Sequence, residues 1–237
     1  MTVAKDNKER SEFEMQGVKS VALFALLIVL TLLCFVGWAG QLPSQGKSRL
    51  LCFKHGLPLG DGIYILEIED LIHKGVIEKY GREEFEASIL THEIHRHIGA
   101  YTLIGTKMGI YAMELLNAPV KKMKIVSEAG GGKYPVRCIN DGIMVSTLCS
   151  YAWGALTVDT TKGNYAATFS YNGKTVRLEL KQQYKSELEA KIDDAVLKHK
   201  KEGKFTPQYW AEVKKLAWWI WLEWDRNVIF DVRWIQR

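Results

Sequence analysis

Three of the chain's six histidines fall within six residues: His92, His95 and His97, in the run Thr91-His92-Glu93-Ile94-His95-Arg96-His97-Ile98-Gly99-Ala100-Tyr101. His92 and His95 are three apart, whereas the zinc-binding pair of an HExxH helix is four apart, which excludes that metalloprotease arrangement. His95 and His97 alternate, so in an extended segment both rings point to one side, toward one ion. A second group follows at Cys138, Asp141-Gly142 and Cys149. The two cysteines are eleven positions apart, about three turns of helix, which puts the sulfurs at opposite ends of one helix rather than on one ion. A soft thiolate with paired imidazoles fits Zn²⁺ or another late transition metal. The plainer reading makes each Cys a small buried hydrophobe and each His a satisfied polar residue.

If an ion there worked on a small molecule, Glu93 or Asp141 would be the candidate general base. The sequence holds no paired carboxylates, nucleophile–base arrangement, phosphate-binding loop, haem-attachment motif or iron–sulfur cysteine set. Four cysteines without a CxxC pair exclude a disulfide scaffold and a zinc ribbon. A net charge of +5 with its basic residues scattered argues against a nucleic-acid surface.

The elements that must position these residues are legible in part. A helix is expected over 66–80, stopped by Gly81, and a second over 98–116, where Gly105 and Gly109 call for close approach of another backbone. A strand over 122–129 leads through Gly130-Gly131-Gly132 to a helix over 139–150. After Gly154 the apolar period falls to two, which predicts three antiparallel strands over 155–159, 165–171 and 175–180, the last two joined by an Asn172-Gly173 turn. A charged helix over 181–201 follows. Thr206-Pro207 then opens a final helix, with Thr206 as N-cap. The class is α+β, an antiparallel sheet with packed helices.

The N-terminal part is of another kind. Residues 21–40 form twenty consecutive uncharged positions, which as a helix span roughly 30 Å, the thickness of a bilayer's hydrocarbon core. A signal peptide is the competing reading, since Gly37-Trp38-Ala39 offers a cleavage site. The polar leader at 1–20, with Asp6, Glu9, Glu12 and Glu14, and the length of the apolar run favour a retained single-pass anchor in the lipid bilayer. Four basic residues before the run and three after it place the following domain outside the cytoplasm. A tether and helical lead-in occupy 41–84.

The two chemistry-bearing segments, in this order, resemble the FmdE-like family, named for a component of formylmethanofuran dehydrogenase. His95-Arg96-His97-Ile98-Gly99-Ala100-Tyr101 followed by Leu103-Ile104-Gly105 and Lys107-Met108-Gly109 is similar to the family's His-Gly-His, Gly-Pro-Tyr and small-residue helix. Cys138, Asp141-Gly142 and Thr147-Leu148-Cys149-Ser150 are similar to its Cys, Asp-Gly and Thr-Gly-Cys-Thr. Ile229-Phe230-Asp231-Val232-Arg233 resembles its closing Phe-x-Val segment. Arg96, Ala100, Met144 and Leu148 replace the family's Gly, Pro, Gln and Gly, and Ala152-Trp153-Gly154 stands where Gly-Lys-Gly is expected. The resemblance, over about 85–237, implies an α+β core at 85–180 completed by 181–237, a homodimer, and a retained ion site in an altered pocket. It implies His97 and Cys138 as ligands, then His95, with Cys149, Asp141 and His92 beside them, and zinc as the ion.

Six of the eight tryptophans lie in the last 28 residues. Either they pack on the sheet or a dimer mate, or they face a membrane interface or membrane partner. The expected function is a membrane-anchored, metal-binding accessory subunit of a membrane or redox complex. A metal-dependent enzyme and a structural subunit with a vestigial site are the alternatives.

Overall fold

The computed structural model describes residues 50, 52, 55–201 and 204–235, all within one unit, Lys47–Arg237. The polar leader and the apolar run at 21–40 lie outside the described residues. Among the described residues no helix is long and apolar enough to cross a membrane.

The helix expected over 66–80 is two helices, α1 (Leu66–His73) and α2 (Val76–Tyr80). Gly75 between them takes the left-handed conformation, φ 78°, which breaks the helical path. A helix that apolar periodicity does not predict follows, α3 (Arg82–His95). Next comes α4 (Ala100–Leu116), close to its expected span and closed by the left-handed Asn117. It is the central helix of the molecule, buried along nearly its whole length.

The expected α+β class holds. β1 (Lys124–Ala129), a 3-10 turn at Val136–Cys138 and α5 (Ile139–Thr147) precede β2 (Leu156–Val158), β3 (Gly163–Tyr171) and β4 (Lys174–Leu180). The chain ends with α6 (Gln182–His199), a two-stranded ribbon of β5 (Lys200–Lys201) and β6 (Lys204–Phe205), α7 (Pro207–Glu223), α8 (Arg226–Ile229) and β7 (Phe230–Trp234). The five-stranded sheet has the order β2-β1-β3-β4-β7. Four of these strands are antiparallel, but β2 runs parallel to β1 and does not pair with β3. This corrects the expected run of three sequential antiparallel strands. Period two reports which face is buried and says nothing of which neighbour a strand pairs with.

Ile125, Phe169 and Val176 stand in cross-strand register and turn one face of the sheet toward α4. Asn172 and Gly173, both at positive φ, turn β3 into β4 as expected. Thr206 accepts the Tyr209 backbone N–H at 3.3 Å, the predicted cap, with Pro207 at the first helical position. The tryptophan run is largely spent inside: Trp221 and Trp224 are buried, and Trp218 and Trp219 pack half-buried against the core. Trp210 and Trp234 stay about half exposed.

On the sheet's other face Glu128 accepts two hydrogen bonds from Arg177, at 2.9 and 3.0 Å, and one from Asn164 at 2.7 Å. The Arg177 guanidinium and the Asn164 amide pull its carboxyl down to about 2. A folded pKa below the unfolded value contributes stability above the unfolded pKa, which is lost as acid is added. Lowering the pH from about 5 to about 3 should cost the wild type about 2 kcal/mol through this group. Urea midpoints for Glu128→Gln should lose most of that slope, and a parallel decline in both proteins would refute it.

Candidate metal centre

The histidine run is helical as far as His95, so the alternation of an extended segment does not apply. His92 and His95 occupy the last turn of α3, and the helix stops at Arg96, whose φ is 62°. That left-handed residue turns the chain back on itself. It lays the His97 ring against His95, with centroids 4.2 Å apart. The two rings therefore meet, through a helix end and not through strand alternation.

The third member comes from α5. Asp141 lies in its first turn, and its Oδ2 is 2.7 Å from His95 Nδ1. The His95 side chain is 13% exposed and Asp141 39%, so the carboxylate faces water on one side and clamps the imidazole on the other. With Nδ1–H donating to the carboxylate, the His95 lone pair sits on Nε2. That atom is buried and has no hydrogen-bond partner. Burial first, then His95 nearby, holds His97 below the ordinary histidine range.

Cys138 caps the start of α5, three residues before Asp141, and is half buried. Burial, then the Asp141 charge, pushes its thiol up. Cys149 lies past the other end of α5, as the eleven-residue spacing required. It is fully buried and its Sγ donates to the Met123 carbonyl at 3.4 Å. Glu93 is an exposed carboxylate 3.7 Å from Arg96.

His92 is 8% exposed, and neither ring nitrogen has a hydrogen bond. The Gly99 backbone is close enough to favour the charged ring, but burial dominates, followed by His95 and His97, and draws His92 down to about 3. Its ring stands edge-on to Trp221 at 5.7 Å, as His97 does to Trp210 at 5.5 Å. The α7 tryptophans thus back the histidines, a role their spacing in sequence did not announce.

The structure brings His95, His97 and Asp141 together and leaves Cys138 at the near end of α5 and Cys149 at the far one. Among the described residues no three His, Cys, Asp or Glu side chains converge on a common point at metal-binding geometry. The donor chemistry nevertheless fits a late transition metal. A histidine whose one nitrogen is held by a carboxylate presents the other to an ion, fixed in tautomer and direction.

Residues 94–231 match the family model described as FmdE, molybdenum formylmethanofuran dehydrogenase operon. The chain belongs to the FmdE family. Among solved structures, a tungsten formylmethanofuran dehydrogenase FmdE-like protein from Syntrophus aciditrophicus is 20% identical, with 72% of each chain covered and a TM-score of 0.40. No curated protein matches. The FmdE segment begins in the last turn of α3, so α1, α2 and most of α3 lie ahead of it.

Proposed function

We propose that this FmdE-family chain is a metal-binding protein whose ion, zinc in the first instance, is taken by His95 and His97 with Cys138 as the thiolate. The observation that carries this is His95: Nδ1 on Asp141 at 2.7 Å, Nε2 buried and without a partner. An unpartnered buried nitrogen is costly, and an ion at Nε2 removes that cost. Asp141 would orient His95, His97 would add the adjacent imidazole, and Cys138 would supply a soft donor once its thiol ionises. Cys149, with its sulfur already on the Met123 carbonyl, would support the end of α5 instead. A bound ion would supply Lewis acidity. The exposed side of Asp141 leaves room for a group that approaches it.

The apolar run at 21–40 supports an anchored, single-pass chain with its domain outside the cytoplasm. An anchored metal protein with no legible nucleophile fits an accessory subunit in a homodimer or larger membrane assembly better than a free-standing enzyme.

Elemental analysis of the full chain in detergent, reduced and reconstituted with zinc, tests the centre. About one ion per chain is expected, lost in His95→Ala/His97→Ala. Asp141→Asn should keep the ligands but weaken zinc binding by about 10–100-fold. A wild-type chain that stays metal-free, or a double variant that keeps its ion, would overturn the reading.

A further inference from the structure

Beside the histidines, the loop before α1, the end of α3 and the start of α7 enclose a cleft of about 730 Å³, within the size range of small-molecule sites. Its walls are mainly apolar: Ile63 and Ile68 from the lead-in, Ile89 from α3, Ile98, and Trp210 from α7. His92 also lines it; both ring nitrogens are buried and neither makes a well-formed hydrogen bond, although the Gly99 backbone lies close.

The rim carries both signs of charge, in pairs. Arg96 stands 3.7 Å from Glu93, and Lys214 donates to Glu67 at 2.6 Å. Each rim cation already has its own carboxylate, so the cleft mouth has no need of an anion. Ile63, Ile68, Ile89 and His92 all precede residue 94, where the family match begins. The segment ahead of the family match therefore supplies half of the cleft lining, and the family segment supplies the other half.

We propose that this cleft binds a small, uncharged, mostly apolar molecule bearing one hydroxyl or carbonyl oxygen, which the His92 imidazole receives. Trp210, half exposed at the cleft wall, offers a ring face or edge for aromatic contact. The neutral His92 ring has one donor and one acceptor nitrogen, so it accommodates either kind of oxygen with a small turn of the ring. His97 borders the same cleft, which places the molecule beside the proposed centre. Its binding does not require the ion, because the apolar walls and His92 are not ligands in that proposal.

Equilibrium dialysis of the full chain in detergent, stripped with EDTA, against 2-naphthol, 2-methylnaphthalene and naphthalene-2-sulfonate tests this. The same micelles carry every variant, so partition into detergent cancels between them. Wild type should prefer 2-naphthol to both other probes. His92→Phe should lower 2-naphthol affinity about tenfold, the worth of one well-made hydrogen bond, and leave 2-methylnaphthalene unchanged. Trp210→Ala, at a half-exposed helix position, should weaken both neutral probes and serves if His92→Phe does not fold. Equal binding by wild type and Trp210→Ala, no binding of either neutral probe, or a preference for the sulfonate overturns the proposal. Binding by the zinc-free chain separates this result from the fate of the metal centre.

Discussion

Lys107→Met is expected to cost about 3–5 kcal/mol, read from urea unfolding at neutral pH, because it strips one partner from a buried ion pair. Lys107 sits in the middle of α4 with Glu84 of α3 at 2.6 Å, and both side chains are fully buried. Its ammonium also lies 3.8 Å from the centre of the Tyr80 ring. Burial pulls Lys107 below the ordinary lysine range, and Glu84 opposes that pull. The network continues outward: Glu84 meets Arg226 of α8 at 3.0 Å, and Arg226 reaches Glu114 at 2.7 Å. Removing the lysine leaves Glu84 in a dry interior with Arg226 alone. A loss of that size is a large share of a domain's net stability. The double variant Lys107→Met/Glu84→Leu should recover part of it, since no bare carboxylate then remains. A single-variant loss below about 1 kcal/mol would show that the pair contributes little.

The same residues explain why α3 was invisible in the sequence. Apolar periodicity finds a helix only when its buried face is apolar. The buried face of α3 includes Glu84, Glu86, Ser88 and Thr91. Each acid there has a partner far away in the chain: Lys107 for Glu84, and the Leu57 backbone N–H, at 2.9 Å, for Glu86. Those distant pairings are tertiary facts and leave no local signature; the local pairing is Arg82 with Glu86, a turn apart at 2.8 Å. Where the signal is local, expectation and structure agree: the Asn172-Gly173 turn, the Thr206 cap, and Gly105 of α4 against the Ile139 backbone, though Gly109 faces the Ser146 and Thr147 side chains and not a backbone. The site divides in the same way. The eleven-residue cysteine spacing foretold a helix between Cys138 and Cys149, and α5 stands there. The His95 and His97 rings do lie side by side, but not through the strand alternation that their two-residue spacing suggests. The chain reverses at a left-handed arginine, a conformation the residue type does not favour. The backing of His92 and His97 by Trp221 and Trp210 depends on how α7 lies against α3, which no spacing within either helix specifies.

Gly142→Ala should combine a stability loss with a loss at the proposed metal centre. Gly142 faces α4 so closely that an added methyl would overlap the Thr102 carbonyl oxygen and lie 2.8 Å from the Gly105 carbonyl carbon. These are backbone atoms, which cannot rotate aside. Gly105 makes the reciprocal approach to the Ile139 carbonyl, so two small residues let α4 and α5 touch main chain to main chain. Helix α5 must therefore move off, at a cost of about 3 kcal/mol. Asp141 is the adjacent residue in the chain, and its hold on His95 depends on where α5 sits. The variant should thus unfold at lower urea. At a temperature where circular dichroism shows it folded, it should bind zinc at least about tenfold more weakly than wild type. Weak folding with unaltered zinc affinity would separate helix packing from the centre. A wild-type urea midpoint would mean that α5 yields without cost. The close approach of α4 and α5 would then have no part in holding Asp141 on His95.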